Sequence, residues 1–233
     1  MKIAALKATA QNPMKKDVSA QMLGEKIAET IRQKIIAGEL APGARLSETA
    51  LSEQLDISRN TLREVFRMLT QEGLLRYEPN RGVYVAVPDM AAILDIYRIR
   101  RLIECDALTH AYPLHPAVAK MESAVEEARE YRKQSDWRNV GTANMKFHTA
   151  IVELADSERL SRLYRNISAE LRLVFGHLND PEILYAPYIE KNAHILALLI
   201  DEQNEKAAYT LMEYLDLSER TVLAAWSRHQ QAS

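Results

Sequence analysis

The stretch SRNTLREVF, Ser58 to Phe66, decides the fold of the N-terminal part of this chain. It opens with a serine, a residue that favours the N-cap position of a helix. The apolar residues recur at the spacing of one helical face. They are Leu62, Val65 and Phe66 within the stretch and Leu69 just beyond it. Arginines stand on another side, at positions 59, 63 and 67. The stretch therefore predicts a short helix with one apolar face and a separate basic face.

The flanking sequence places this helix third in a small unit. Residues 24–38 carry isoleucines at helical spacing, and Ser47 is a candidate N-cap for a second helix at about 47–55. After the third helix, the turn signal PNRG at 79–82 precedes a predicted strand at 83–87. Helix, helix, short turn, helix and hairpin is the order of a winged helix-turn-helix.

A winged helix-turn-helix places its third helix in the major groove of DNA, with the N-terminal residues nearest the bases. Arginine suits this position because its planar fork pairs with guanine edges and with phosphates. The candidate DNA-binding residues on the helix and at the hairpin tip are Ser58, Arg59, Asn60, Thr61, Arg63 and Arg81. Two alternatives stay open: the arginines form a solvated face beside Glu64 and Glu72, or Arg63 pairs with Glu64 or a neighbouring helix.

Composition sets the wider limits. The 233 residues carry a net charge of −2, yet residues 1–87 hold 13 Lys and Arg against 10 Asp and Glu. A single cysteine, Cys105, excludes an internal disulfide and suits a reducing compartment. The sequence has no apolar run of membrane-spanning length, and its start is too weakly apolar for a secretory signal. We therefore expect a cytoplasmic protein without a membrane partner, with residues 1–23 as an N-terminal extension.

The remainder of the chain is predicted to be helical. Glycine and proline are scarce, and residues 89–230 do not show the alternation of apolar and polar residues that is typical of strands. Helix-breaking residues divide this part into about six amphipathic helices. The predicted fold class is mainly α: a winged helix-turn-helix at 24–87 followed by an all-α bundle at 88–233. Such a bundle can enclose a small-molecule site among facing helices. No nucleophile elbow, phosphate loop or paired-carboxylate motif is present, so we do not expect an enzyme.

Two parts of the sequence resemble known families. The stretch PGARLSETALSEQLDISRNTLREVFRMLTQEGLLRYEPNRGVYV resembles the DNA-binding domain of the GntR family of bacterial transcription regulators. This resemblance implies DNA contacts at Arg45 and Gly82 as well as at Arg59 and Arg63. The stretches ILDIYRIRRLIE, ANMKFHTAIVELADSERL, HILALLIDEQNEKAA and YLDLSER resemble the effector-binding FCD domain of the FadR subfamily. About six helices indicates the variant found in vanillate regulators.

The second resemblance also implies a position for a binding site. Many members of the subfamily hold a divalent metal through one Asp and three His; the matching positions here are Asn144, His148, Asn192 and Tyr214. Only His148 is kept, so we predict no metal and no certain cofactor. The same four residues, joined by Arg100, are instead predicted to bind an effector, with the guanidinium facing a carboxylate.

Purely structural roles are the alternatives for these residues: Arg100 forms a salt bridge with Glu104 four residues later, and His148 is a hydrogen-bonded histidine of the core. Further candidates for the same cavity are Tyr97, Tyr164 and His177.

These observations together predict a homodimeric, ligand-responsive regulator that binds a palindromic double-stranded DNA operator and a small metabolite such as an organic acid. The effector is expected to reposition the DNA-binding unit through the segment at 85–89. The alternative is a metal-responsive all-α sensor whose bundle binds a divalent cation and whose winged helix is vestigial or serves protein contacts.

Overall fold

The computed structural model describes residues 13–178 and 180–232. The N-terminal elements are α1 (Pro13–Ile36), β1 (Arg45–Leu46), α2 (Glu48–Gln54), α3 (Arg59–Gln71), β2 (Leu75–Glu78) and β3 (Gly82–Val85). The remaining elements are α4 (Met90–Thr109), α5 (Pro116–Lys133), α6 (Trp137–Glu153), α7 (Glu158–Leu178), α8 (Pro181–Tyr185), a 3₁₀ helix (Ala186–Tyr188), α9 (Ile189–Ile200) and α10 (Asn204–Ala232). The chain is mainly helical, as predicted, and none of these helices is long and apolar enough to cross a membrane.

The N-terminal elements form the predicted winged helix-turn-helix. Its three strands are antiparallel in the order β1-β3-β2, with Tyr77 opposite Val83 and Leu46 opposite the same valine on the other side. Two predicted boundaries are wrong. The first helix begins at Pro13, within the predicted extension, and ends at Ile36; the strand predicted at 83–87 covers Gly82–Val85.

Serine side chains start α2 and α3. The Oγ of Ser47 accepts a hydrogen bond from the Ala50 N–H at 3.3 Å, and that of Ser58 accepts one from the Thr61 N–H at 3.1 Å. Each bond satisfies an amide that the helix itself leaves without a partner. The short connection between the helices turns at Asp56, whose φ is 51°. The caps and this turn set the angle between α2 and α3.

The core of the winged unit contains the predicted apolar face of α3. Leu62, Val65, Phe66 and Leu69 are all buried, and they pack with isoleucines of α1 and with the inner side of the sheet. Two further members of this core, Ala169 and Leu173, belong to α7. A helix of the C-terminal bundle therefore completes the core of the N-terminal unit.

The C-terminal elements form the predicted bundle, in which α5 packs on α6 and α4 packs on α10. Asp136 caps α6, accepting from the Asn139 N–H at 3.2 Å. The apolar pattern after Asp180 predicts one continuous helix, the fifth of the six, up to about residue 202; the structure has α8, the 3₁₀ helix and α9 instead. The break lies at Pro187, which has no N–H to donate to the preceding turn.

The contact between the two units is polar as well as apolar. The Arg172 guanidinium on α7 donates to the Tyr185 hydroxyl at 2.8 Å and to the Arg138 carbonyl at 2.9 Å. It also lies against Gly38, where a Cβ would come within 2.7 Å of Nη2 and where φ is 69°. Arg138 in turn donates to the Ala37 carbonyl at 3.0 Å. Arg138 therefore bonds the turn after α1 to the bundle, and Arg172 holds Arg138 by its carbonyl and packs against the same turn.

A second polar contact lies at the other end of this interface. Asn166 on α7 donates through Nδ2 to the Glu72 carbonyl at 2.9 Å. Glu72 is the C-cap of α3, so this bond ties the end of the third helix to the bundle. Both ends of the winged unit's core are thus held on α7.

The Leu173→Ala substitution tests whether α7 stabilises the winged unit. We expect a loss of about 2–4 kcal/mol in the free energy of unfolding, because the removed side chain lies in a packed core. Leu163→Ala on the same helix is the matched control; Leu163 is exposed, and its loss should stay within about 0.5 kcal/mol. Urea unfolding of both variants measures the difference. Equal stabilities of the two variants would contradict the shared core.

Candidate nucleic-acid interface and effector site

The N-terminal turn of α3 presents polar side chains to solvent. Ser58, Arg59, Asn60 and Arg63 are exposed, and Thr61 is half-buried because its side chain hydroxyl bonds the Ser58 Oγ at 2.9 Å. The opposite side of the helix is buried in the winged core. The helix therefore has one face free for a partner, and the five candidates from the sequence lie together at its N-terminal end.

The hairpin turn brings a second group of candidates to the surface. Asn80 and Gly82 hold the turn with φ values of 62° and 108°, a region that asparagine and glycine tolerate best. Arg81 between them is exposed at the tip. Arg45 on β1 is also exposed, and a Cβ added to Gly82 would lie 3.6 Å from its Nε. Arg45, Arg81 and Gly82 thus lie on one side of the wing.

Some of the exposed arginines on α3 form ion pairs. Arg63 donates to Glu48 of α2 at 2.9 Å, so of the two pairings open from the sequence it makes the one with a neighbouring helix. Glu64 pairs with Arg67 instead. Within the described part of the chain, neither Arg45 nor Arg59 has an ion-pair partner. These two guanidiniums are the least compensated charges among the DNA candidates.

The other candidate site is a buried polar cluster centred on Glu104 of α4. Its Oε1 accepts from Arg100 Nε at 2.7 Å and from the Tyr164 hydroxyl at 2.5 Å. Its Oε2 lies 2.7 Å from His148 Nδ1. All four side chains are buried, and they come from α4, α6 and α7. The salt bridge between Arg100 and Glu104, which the sequence offered as the alternative to an effector contact, is present as one part of this larger cluster.

The electrostatics of the cluster assign its protons. Burial acts to raise the pKa of Glu104, but the Arg100 charge and the His148 contact outweigh it and lower the pKa to about 2. Burial lowers the pKa of His148, and the Glu104 carboxylate only partly offsets this. A neutral His148 donates from Nδ1 to Glu104, which leaves its Nε2 as an acceptor.

The remaining predicted residues extend the cluster from His148. The Tyr214 hydroxyl lies 2.8 Å from His148 Nε2 and 3.3 Å from Asn144 Oδ1. Asn192 donates from Nδ2 to the same Asn144 oxygen at 2.9 Å. The structure therefore brings Arg100, Asn144, His148, Asn192 and Tyr214 into one connected network across four helices.

Two polar atoms of this network have no partner. Arg100 Nη2 is a buried donor and Asn192 Oδ1 a buried acceptor, and neither makes a hydrogen bond. Buried polar groups are nearly always satisfied, so these two atoms need an ordered water or a ligand as a partner. The structure thus offers one cationic donor and one amide acceptor for recognition.

The three further candidates from the sequence fall into two groups. Tyr164 belongs to the cluster through its bond to Glu104. The guanidinium carbon of Arg100 lies 5.3 Å from the centroid of the Tyr97 ring, and the Tyr97 hydroxyl bonds the Ser218 hydroxyl at 2.7 Å. His177 lies elsewhere, with its ring 4.5 Å from that of His229. For the carboxylate at the centre, Glu104, the sequence indicates only a salt bridge with Arg100, through their spacing of four residues.

The cluster does not fit a divalent metal. Among residues 13–178 and 180–232, no three His, Cys, Asp or Glu side chains are grouped as metal ligands. Both ring nitrogens of His148 already bond Glu104 and Tyr214. Asn144 and Asn192 bond each other and supply neither a charge nor a basic nitrogen.

Comparison with known proteins identifies the class. Residues 23–85 match the family model "Bacterial regulatory proteins, gntR family", and residues 95–217 match the FCD domain. The chain belongs to the GntR family of bacterial DNA-binding transcription regulators, in the group with an FCD effector domain, and it is not an enzyme.

Individual relatives agree with this class. A solved structure from Rhodococcus sp. RHA1, a putative transcriptional regulator GntR, is 37% identical, with a TM-score of 0.80 over 87% of this chain and 98% of that one. The HTH-type transcriptional repressor RspR of Escherichia coli is 28% identical in an alignment that covers 73% of this chain and 77% of the relative. The Uxu operon transcriptional regulator of the same organism is 27% identical over 87% of this chain and 88% of its own length.

The Glu104→Gln substitution tests the buried ion pair. Removing one charge leaves Arg100 buried and uncompensated, so we expect a loss of about 3–5 kcal/mol in the free energy of unfolding at pH 7. The control Glu153→Gln breaks the more exposed pair with Lys120 and should cost less than about 1 kcal/mol. Urea unfolding measures both.

The loss should also depend on pH. The folded pKa of Glu104 is lowered, from 4.5 to about 2, so its stabilisation is complete above pH 4.5 and is lost as the pH falls toward 2. The difference in free energy of unfolding between the wild type and Glu104→Gln should therefore become smaller below pH 4.5. A gap that does not change between pH 7 and pH 3 would contradict an ionised Glu104.

Proposed function

We propose that the chain is a homodimeric regulator that binds a palindromic operator through α3 and the wing, and that a small carboxylate in the bundle changes this binding. The observation that carries the DNA assignment is Arg59, exposed on the capped first turn of α3 and without an ion-pair partner in the described chain. Its guanidinium is free to exchange water for a guanine edge or a phosphate. A two-fold dimer would place two such helices in successive major grooves.

The wing supports the same assignment. Arg81 at the hairpin tip and Arg45 beside Gly82 extend the basic surface away from α3. Arginines at the edge of such a surface contact phosphates or the adjacent groove, which fixes the register of the third helix. We therefore assign DNA contacts to Arg45, Ser58, Arg59, Asn60, Thr61, Arg63, Arg81 and Gly82.

The effector assignment is carried by the two unpartnered atoms of the buried network. A ligand carboxylate can accept from Arg100 Nη2, and a hydroxyl or amino group on the same ligand can donate to Asn192 Oδ1. Asn144, His148 and Tyr214 complete the lining. A hydroxy acid or sugar acid has this combination of groups.

The metal-responsive alternative has less support. It would require His148 to give up its bonds to Glu104 and Tyr214, and it has no carboxylate at the position of Asn144. Elemental analysis of untagged protein is its direct test. One tightly held transition metal per chain would favour it over the carboxylate effector.

Helix α7 offers a route from the effector site to the DNA surface. Tyr164 bonds Glu104 in the bundle, while Ala169 and Leu173 on the same helix lie in the winged core. A ligand that draws Arg100 away from Glu104 changes the partners of Tyr164 and thereby the position of α7. This route is more direct than the segment at 85–89, which the sequence alone suggested. It transmits a signal only if the effector binds two arrangements with different affinity.

Arg59→Ala combined with Arg63→Ala tests the DNA assignment. We expect operator affinity to fall by about a hundredfold or more, since each arginine contact contributes about 1–3 kcal/mol. The matched control is Arg129→Ala with Arg132→Ala, which removes two exposed arginines from α5. Fluorescence anisotropy on an operator selected from random duplexes measures both. Normal operator binding by the first variant would refute the assignment.

A thermal-shift screen of small hydroxy acids and sugar acids tests the effector site. At about a hundredfold excess over the dissociation constant, a binder should raise the melting temperature by about 5–10 °C. Asn192→Ala should remove most of this shift, because it deletes the free acceptor; Gln203→Ala, outside the network, should not. A shift that survives Asn192→Ala would mean that the ligand binds elsewhere.

A further inference from the structure

Four of the arginines around the proposed DNA surface pair with carboxylates of the same unit. Four arginines share three glutamates: Arg63 with Glu48 at 2.9 Å, Arg67 with Glu64, and both Arg76 and Arg81 with Glu78 at 2.7 and 3.1 Å. Two of these arginines, Arg63 and Arg67, line a groove of about 600 Å³ between α3 and the wing, where Tyr77 is exposed. A surface that meets a polyanion therefore carries three negative charges of its own.

Stability does not explain the pair on α3 itself. Arg67 and Glu64 are 69% and 62% exposed, and an exposed pair three residues apart on a helix contributes only a few tenths of a kcal/mol. Neither side chain belongs to a core. The effect of Glu64 is therefore expected at the surface, on whatever approaches Arg67.

The physics of DNA binding gives this carboxylate a function. Affinity for non-operator DNA comes almost wholly from cations that neutralise phosphates, irrespective of sequence. A carboxylate beside Arg67 competes with those phosphates and repels the backbone. Binding to the operator also draws on base contacts, for which Arg59 is free, and these fix α3 in one register that does not depend on Arg67 meeting a phosphate. The absolute cost of the carboxylate is therefore expected to be smaller on the operator than on non-operator DNA, where phosphate contacts supply nearly all of the affinity.

We propose that Glu64 is a specificity-determining residue: its carboxylate occupies Arg67 and lowers the affinity of the surface for non-operator DNA more than for the operator. This inference rests on the proposed function, in which α3 faces DNA. It adds that an acidic side chain on α3 sets the ratio between operator and non-operator affinity.

The test compares Glu64→Gln with Glu130→Gln. Glu130 pairs with Lys133 on α5, three residues away, and the two side chains are 62% and 69% exposed, so the control matches the geometry, exposure and charge change. Each variant is titrated into a labelled mixed-sequence 30-base-pair duplex and into the selected operator over a range of salt concentrations. Glutamine keeps the size and helix propensity of glutamate, so folding should be retained.

For Glu64→Gln we expect non-operator affinity to rise by about threefold to tenfold, with a log–log salt slope steeper by about 0.9, because one more cation is free for phosphate. Operator affinity should rise less, so the specificity ratio falls. Glu130→Gln should behave as the wild type in both titrations.

The proposal would be overturned by an unchanged non-operator affinity, by equal rises for operator and non-operator DNA, or by the same effect in Glu130→Gln. Weaker DNA binding by Glu64→Gln would also overturn it, since the carboxylate would then be positioning Arg67 for contact. Failure of the proposed function is distinguished by the double arginine variant: if that protein binds DNA normally, α3 is not the contact surface at all.

Discussion

The structure depends on the position of α7, which belongs to two cores at once. Its inner face carries Tyr164, which is fully enclosed in the bundle and bonded to Glu104. Its outer face carries Ala169 and Leu173, which complete the core of the winged unit. A helix with both faces buried cannot shift without changing the packing of both units, because protein interiors are close-packed. This constraint links a sensor and a DNA-binding surface that otherwise share few elements.

The other main feature of the structure is the buried polar cluster around Glu104. Glu104 is surrounded by a guanidinium, an imidazole and a phenol, so its charge is stabilised although its side chain is fully buried. Taking charges out of water costs more than an ion pair returns unless every lone pair is used. Arg100 and Asn192 each keep one unused atom at the edge of this network. These two atoms are the ones to which the proposed effector would bind.

The sequence predicts the features that depend on near neighbours in the chain. Ser58 and the apolar face of α3 follow from local capping and helical period, and both are confirmed. The convergence of Asn144, His148, Asn192 and Tyr214 came from family resemblance, since residues so far apart carry no local signal of contact. The partners of Glu104 on α6 and α7 were not predicted for the same reason.

Other features escaped prediction for different physical reasons. Ala169 and Leu173 suit the bundle core and the winged core equally well, so composition does not assign them to either one. The start of α1 at Pro13 extends beyond the isoleucine pattern that marked the helix. The break at Pro187 was available in the sequence, and a continuous fifth helix across it was the wrong expectation.

The most direct test of the central claim is native-state hydrogen exchange on Tyr164→Phe, which removes only the hydroxyl bonded to Glu104. If α7 links the two cores, amide protection should fall in the bundle and also in α1 and α3 of the winged unit. Loss of protection confined to the bundle, with α1 and α3 unchanged, would contradict the account.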